Sequence, residues 1–146
     1  MDLIVVGVDG SDVAQDALRW ATAEARVHEA KLRIVHAWQF PYAGVSPYGG
    51  MAIDPADVEA TARQVLEEAV GSADLTGLAS PPETVLVAQS PSEALVEAAE
   101  GADLLVVGSR GRGGFSGLLL GSVSQQAATH ATCPVVIVRH QLGRRS

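Results

Sequence analysis

Apolar positions along this chain follow two different periods. Five short runs rich in apolar residues predict strands, and the first of them is apolar without interruption, as expected for a strand buried on both faces of a parallel sheet. These runs are Leu3–Val8, Lys31–Trp38, Glu83–Ala88, Leu104–Val107 and Pro134–Val138. Between them, apolar residues recur at helical spacing, first from Ala14 to Ala25 and later around 58–69, 94–99 and beyond 121. Five strands that alternate with four helices predict a doubly wound α/β fold with helices on both faces of the sheet.

Two polar loops mark the expected ligand edge of this sheet. Doubly wound sheets bind ligands outside the carboxyl ends of their strands, at the point where the strand order reverses. The loop Asp9-Gly10-Ser11 follows the first strand, and the loop from Gly108 to Gly121 follows the fourth. Both contain residues that favour turns and helix caps. We therefore expect these two loops to meet.

The second loop has the features of a phosphate site. It reads Val107-Gly108-Ser109-Arg110-Gly111, then nine residues, then Gly121-Ser122-Val123-Ser124. Glycines let the backbone approach a ligand, and the N–H groups at a helix start attract anions. This G-x2-G-x9-G-S spacing, together with the opening Val6–Ser11 and the ending His130–Val138, resembles the ATP-binding class of universal stress proteins.

The resemblance extends over nearly the whole chain and implies a specific architecture. It predicts a five-stranded parallel sheet in the order 3-2-1-4-5, a Rossmann-like fold of the adenine nucleotide alpha hydrolase type. The sequence has no internal repeat, so we expect one universal stress protein domain over residues 1–146, with 141–146 as a frayed tail. The implied ligand is ATP, accompanied by Mg²⁺.

The resemblance also implies the ligand contacts. Backbone N–H groups near 121–123 and the hydroxyls of Ser122 and Ser124 would contact phosphates, while Ser122 would equally suit a helix N-cap. Residues at the ends of strands one and two would line the adenine pocket, or else pack in the core. The predicted nucleotide contacts are Val8, Asp9, Gly10, Val35, Ala37, Val107, Gly108, Arg110, Gly111, Gly121, Ser122, Val123 and Ser124.

Asp9 has two interpretations. As a structural residue it would stabilise the turn after strand one through Asx-type hydrogen bonds. As a ligand residue it would accept a hydrogen bond from ribose or adenine, or help to hold Mg²⁺, and the resemblance favours this role. A sugar or metal role is physically safer than a phosphate contact, because like charges repel. Arg110 and Arg112 would either grip the triphosphate or remain solvated loop charges.

Charge is distributed unevenly along the chain. The net charge is −7, yet residues 1–103 carry all 17 acids and only five bases, whereas 104–146 carry five bases and no acid. The segment with the glycine loop is therefore free of carboxylates, which suits an anionic ligand, although buried strands also leave few positions for acids. The overall acidity argues against nucleic-acid binding.

Composition excludes several other classes of protein. Hydrophobic residues make up 47% of the chain, which is typical of a folded domain, and no apolar run is long enough to span a membrane. The start lacks the basic region and cleavage site of a signal peptide, and a lone Cys133 excludes an internal disulfide framework. We therefore expect a cytoplasmic protein. His36 and His130 lack metal-ligand spacing, and Cys133 is better explained as a small buried residue than as a reactive thiol.

The sequence contains no signature of dedicated catalysis. It has neither a nucleophile–base pair nor a Walker lysine, and the turn after strand one does not read Ser-Gly-Gly-x-Asp-Ser as in ATP pyrophosphatases. The leading hypothesis is a non-enzymatic, ATP-binding stress-response switch or chaperone-like module. The alternatives are a weak ATPase or a nucleotidyl or phosphoryl transferase that uses the same pocket, and a structural dimer with an empty pocket.

Two further expectations concern assembly and motion. Strand five is apolar and would lie at a sheet edge, where unpaired backbone groups invite a second strand. The resemblance implies a homodimer through Val135–Val138, and the alternative is a tail that folds back to cover this edge. The Pro41–Gly50 stretch is rich in proline and glycine and predicts a mobile or lid-like segment over the nucleotide. Tyr42 or Tyr48 would either stack on the ligand or, as the sequence favours, remain solvent-exposed loop aromatics.

Overall fold

The computed structural model describes residues 1–40, 54–110 and 120–140. Its elements in chain order are β1 (Leu3–Gly7), α1 (Asp12–His28), β2 (Lys31–Trp38), α2 (Pro55–Gly71), β3 (Glu83–Ala88), α3 (Pro91–Ala98), β4 (Leu104–Gly108), α4 (Ser122–His130) and β5 (Val135–Val138). All strand pairs are parallel, and the sheet order is β3-β2-β1-β4-β5. The predicted α/β fold and strand order are confirmed. The differences are small: β1 stops one residue before Val8, and β5 starts one residue after Pro134.

Helices cover both faces of the sheet. Successive residues of a strand point to opposite faces, so Ile4 and Val6 pack beneath α1 and α2, while Val5 packs beneath α3 and α4. All three side chains have no exposed surface. The uninterrupted apolar character of β1 therefore follows from burial on two sides. The outer strands differ, because every residue of β5 and the centre of β3 are only half-buried.

The start of α1 is fixed against the end of β4. Ser11 is the N-cap, and its hydroxyl accepts a hydrogen bond of 3.2 Å from the Ala14 N–H. A Cβ atom added to Gly108 would lie only 3.0 Å from Val13 Cγ1 and 3.2 Å from the Val13 carbonyl carbon. Glycine at 108 therefore allows α1 to pack closely on the last residue of β4.

At the amino end of the strands, the polar groups of the protein are paired with one another. The Asp103 carboxylate accepts hydrogen bonds from the N–H groups of Asp2 and Leu3, at 2.6 and 3.0 Å. The Arg33 guanidinium donates to Glu83 and to the Ala98 carbonyl, each at 2.8 Å. None of the helices in the described ranges is both long and apolar enough to cross a membrane.

Candidate functional site

The reversal of strand order opens a crevice between β1 and β4. These neighbours are paired from Ile4 with Leu104 to Val6 with Val106. The chain leaves β1 toward β2 on one side and leaves β4 toward β5 on the other, so the two connections diverge from one edge of the sheet. The loop starts at Asp9 and Ser109 therefore lie at the same edge, as predicted.

The first loop is a tight turn built on Asp9. The half-buried Asp9 carboxylate accepts hydrogen bonds from the backbone N–H of Ser11, at 2.9 Å, and from the Ser11 hydroxyl. Gly10 has a φ of 86°, which is the left-handed conformation that glycine adopts at little cost. These bonds are the Asx-type structural role considered for Asp9. Its contact with a ligand stays a prediction.

The second loop is joined to the sheet through Ser109. The Ser109 N–H donates to the Val138 carbonyl at 2.8 Å, and the Ser109 carbonyl accepts from the Gly121 N–H at 2.6 Å. The hydroxyl of Ser124, which is 1% exposed, lies 3.0 Å from both the Ser109 and the Gly121 carbonyl oxygens. The Gly121 N–H and the Ser124 hydroxyl thus hold the start of α4 beside the end of β4. Phosphate contacts through these two groups remain predictions, and these bonds compete with them.

Helix α4 begins with a glycine cap. Gly121 is the N-cap residue and makes no side-chain cap hydrogen bond, while Ser122 is the first helical residue and is exposed. The interpretation of Ser122 as the N-cap is therefore wrong. Because the N–H groups of a first helical turn point out of the helix and carry its positive dipole, those of Ser122 and Val123 form the natural anion position at this edge.

The end of β2 presents backbone polar groups to the crevice. In a parallel sheet, alternate residues direct both N–H and C=O to the same neighbouring strand. The Val35 carbonyl accepts from the Val8 N–H at 2.9 Å, and the Trp38 carbonyl accepts from the Gln89 N–H at 2.9 Å. The N–H and C=O groups of Ala37, two residues beyond Val35, therefore point toward the β1 side. Across the described ranges, the pairing of β2 with β1 ends at the Val8 to Val35 bond, which leaves the Ala37 N–H and carbonyl facing the crevice.

The other predicted site residues have different surroundings. The side chains of Val8, Val35 and Val107 are 5%, 1% and 3% exposed and belong to the core, so the packing interpretation holds for them. Arg110 is half-buried at the end of the described part of its loop. Gly111, Arg112 and the proposed lid at 41–50 with its tyrosines lie outside the described residues.

His36 and Cys133 both pack against the core of the protein. The buried His36 ring places Nδ1 2.8 Å from the Val8 carbonyl oxygen, so this histidine belongs to the core and touches the site. Cys133 is half-buried rather than buried as predicted. Its partial burial, followed by the nearby charge of Asp103, raises the pKa of its thiol, which lowers its reactivity at neutral pH. The described part of the chain contains no group of three side chains arranged to hold a metal ion.

The sequence matches the profile of the universal stress protein family over residues 1–139. The chain belongs to the universal stress protein family. It is 39% identical over 140 residues to a universal stress protein of Thermus aquaticus, which covers 93% of this chain and 97% of that protein. It is also 37% identical over 139 residues to the universal stress protein Rv2623 of Mycobacterium tuberculosis, covering 95% of this chain but only 46% of that longer protein.

Solved structures of family members show nucleotide complexes. A universal stress protein in complex with cAMP is 33% identical, has a TM-score of 0.61 and matches 95% of this chain and 97% of its own. The universal stress protein of Archaeoglobus fulgidus in complex with dAMP is 27% identical, has a TM-score of 0.65 and matches 94% of this chain and 98% of its own. Each of these relatives binds an adenine nucleotide on a fold like this one.

Proposed function

We propose that this chain binds one adenine nucleotide, ATP with Mg²⁺, in the crevice between the Asp9 turn and the Gly108–Ser124 segment. It acts as a nucleotide-dependent stress-response switch or chaperone-like module, without efficient catalysis. The observation that carries this proposal is that no described residue pairs with the Ala37 N–H or carbonyl, which lie at the same edge of the sheet as the glycine-capped start of α4. The backbone groups of Ala37 suit a base, and the start of α4 suits a phosphate.

The Ala37 backbone suits adenine in particular. Adenine offers an acceptor at N1 beside a donor at its N6 amino group, and this edge complements one N–H and one carbonyl. Guanine presents the reverse order, a donor at N1 and an acceptor at O6, and would leave both groups of Ala37 unpaired. The cAMP and dAMP complexes of the two relatives support this choice of base.

The phosphate end of the ligand would lie against α4. The first-turn N–H groups and the helix dipole favour negative charge, and the glycine cap removes a side chain that would otherwise occupy the position. No acidic residue occurs after Asp103, so nothing in that part of the sequence opposes an anion.

Mg²⁺ fits this site as a companion of the triphosphate. Magnesium in nucleotide sites keeps several waters and takes one or two carboxylates together with phosphate oxygens. Asp9 supplies one half-buried carboxylate at the crevice, which suits this mode. When bound, the ion would neutralise phosphate charge, and Asp9 would orient it from the β1 side.

Two measurements test the proposal. Mass spectrometry of small molecules released from the purified, denatured protein identifies any co-purified nucleotide. Calorimetric titration with Mg-ATP, AMP, cAMP and Mg-GTP then gives stoichiometry and base preference, with one ATP per chain and weak GTP binding expected. Absence of saturable binding by every adenine nucleotide would overturn the proposal. Phosphate release close to background is expected, and rapid multiple turnover at physiological ATP would establish an enzyme instead.

The proposal includes a homodimer formed through β5. This strand lies at the edge of the sheet, and all four of its apolar side chains remain half-buried in the single chain. A second copy of the strand would pair with the backbone groups on the outer side of β5, where the described residues contain no further strand, and would cover this apolar surface. Light scattering at micromolar concentration should give the dimer mass, and a Val136→Asp variant should shift it to the monomer. A monomer mass for the unsubstituted protein would contradict the dimer.

A further inference from the structure

His36 occupies an unusual position for a polar residue. It lies on β2 on the same face as Leu32 and Ile34, and its side chain is 9% exposed. Its Nδ1 atom lies 2.8 Å from the Val8 carbonyl oxygen. A carbonyl oxygen can only accept, so Nδ1 must carry the hydrogen and donate it.

The Val8 carbonyl would have a different hydrogen-bond partner if the pairing of β1 with β2 continued. The Val8 N–H already donates to the Val35 carbonyl at 2.9 Å. One further step of a parallel ladder would pair the Val8 carbonyl with the Ala37 N–H. Instead the His36 ring bonds this carbonyl, and β1 departs toward the Asp9 turn. The ladder therefore stops one hydrogen bond short.

We propose that His36 is a positioning residue for the nucleotide. It holds the Val8 carbonyl away from Ala37 and thereby keeps the Ala37 N–H open for the adenine ring. This inference rests on the proposed function, since it concerns the same pocket. Without the imidazole, the Val8 carbonyl would seek a new donor, and the Ala37 N–H is the next one in the ladder. That internal bond would compete directly with the ligand.

Amide hydrogen exchange of the unliganded protein tests the first half of the inference. In the unsubstituted protein, the Ala37 N–H should exchange much faster than that of Val35 on the same strand. In His36→Leu, this difference should shrink about tenfold or more, because a new ladder bond protects Ala37. In His36→Asn, whose amide nitrogen can take the place of Nδ1, the fast exchange of Ala37 should return. An unchanged ratio in a folded His36→Leu protein would overturn the inference.

Nucleotide titration tests the second half. Affinity for Mg-ATP should fall about three- to tenfold in His36→Leu, the equivalent of one lost hydrogen bond, and should recover in His36→Asn. The preference for ATP over GTP should narrow at the same time, whereas affinity for inorganic tripolyphosphate should not change. A packing defect alone would not alter base preference. The control is Leu32→Val, on the same face at the other end of β2, which should keep both affinity and preference.

The outcomes separate this inference from the proposed function. If the unsubstituted protein binds no adenine nucleotide, the proposed function fails whatever Ala37 does. If it binds ATP but His36→Leu binds equally well with the same base preference, only the role of His36 fails. Should His36→Leu not fold, His36→Gln also displaces the donor from the Val8 carbonyl while keeping a polar side chain, and it takes the place of the leucine variant in both measurements.

Discussion

The two ends of the same strands are organised in opposite ways. At the amino end, the protein pairs its own polar groups: Asp103 accepts from Asp2 and Leu3, and Arg33 joins Glu83 to the Ala98 carbonyl. At the carboxyl end, Gly108 and Gly121 occupy positions where another residue would place a side chain, and the pairing of β1 with β2 stops before Ala37.

This difference separates stability from binding. A backbone group that is paired within the protein contributes to folding but has nothing to offer a ligand, whereas an open group at the crevice edge can exchange water for a ligand atom. Changes at the amino end should therefore alter the free energy of unfolding and leave nucleotide affinity unchanged. Changes at the carboxyl end should alter nucleotide affinity and leave the free energy of unfolding unchanged, except where a residue also packs against a helix.

The largest effect is expected for Gly121→Val at the carboxyl end. The backbone at Gly121 has φ −78° and ψ 171°, a conformation open to valine, so the fold should survive. The added side chain would occupy the approach to α4, and affinity for Mg-ATP should fall about 100-fold, the equivalent of about 2.7 kcal/mol. Calorimetry measures the affinity, and circular dichroism checks the fold. Unchanged affinity in a folded variant would remove this segment from the site.

Gly108→Ala should lower both the stability of the protein and its affinity for nucleotide, because α1 packs against the end of β4. The new Cβ would lie 3.0 Å from Val13 Cγ1, so the helix must shift, at a cost of about 1–2 kcal/mol in unfolding free energy. The shift would also move the Asp9 turn, and affinity should fall in parallel. The matched control is Gly71→Ala at the end of α2, where a Cβ meets nothing within 4 Å and stability should hold or rise. Equal stability of the two variants would contradict this packing argument.

Arg33→Met tests the amino end. The variant keeps the apolar stem but removes the bonds to Glu83 and Ala98, and the partial exposure of the pair limits the loss to about 1 kcal/mol of unfolding free energy. Urea denaturation measures this loss. Affinity for Mg-ATP should not change, since Arg33 lies at the opposite end of β2. A parallel loss of affinity would show that the two ends are coupled.

The smallest effect is a pH dependence at Asp103. The hydrogen bond from the Asp2 N–H, followed by that from Leu3, lowers the pKa of this carboxyl below its ordinary value. Its folded pKa lies below its unfolded pKa, so its contribution is complete above the unfolded value of about 4 and is lost as the pH falls through the folded value. Asp103→Asn should therefore show a shallower loss of stability in acid than the unsubstituted protein. Thermal unfolding between neutral and acidic pH measures this, and identical acid limbs would exclude the contribution.

Local pattern alone determined most of the fold. The apolar runs located every strand to within a residue. In β1 the signal is clearest, because a strand buried on both faces must be apolar throughout, as Ile4, Val5 and Val6 are. The turn at Asp9 and the N-cap at Ser11 were also predictable, since their hydrogen bonds span only two or three residues. The family followed from a glycine spacing, and the family profile confirms it.

Only the tertiary structure decided how the site is built. A sequence pattern suggests that Ser122 caps α4 and that Ser124 faces a ligand. In the structure Gly121 is the cap, and the Ser124 hydroxyl bonds the carbonyl that follows β4 and the carbonyl that precedes α4. The roles proposed for His36 and Ala37 depend on where the pairing of β1 with β2 ends, and the chain leaves that pairing as it turns toward α1. The physical reason is the separation of the bonded residues along the chain. Hydrogen bonds between near neighbours leave a signature in the local sequence. A bond between residues 28 positions apart, such as that of His36 with Val8, forms only once the strands lie side by side.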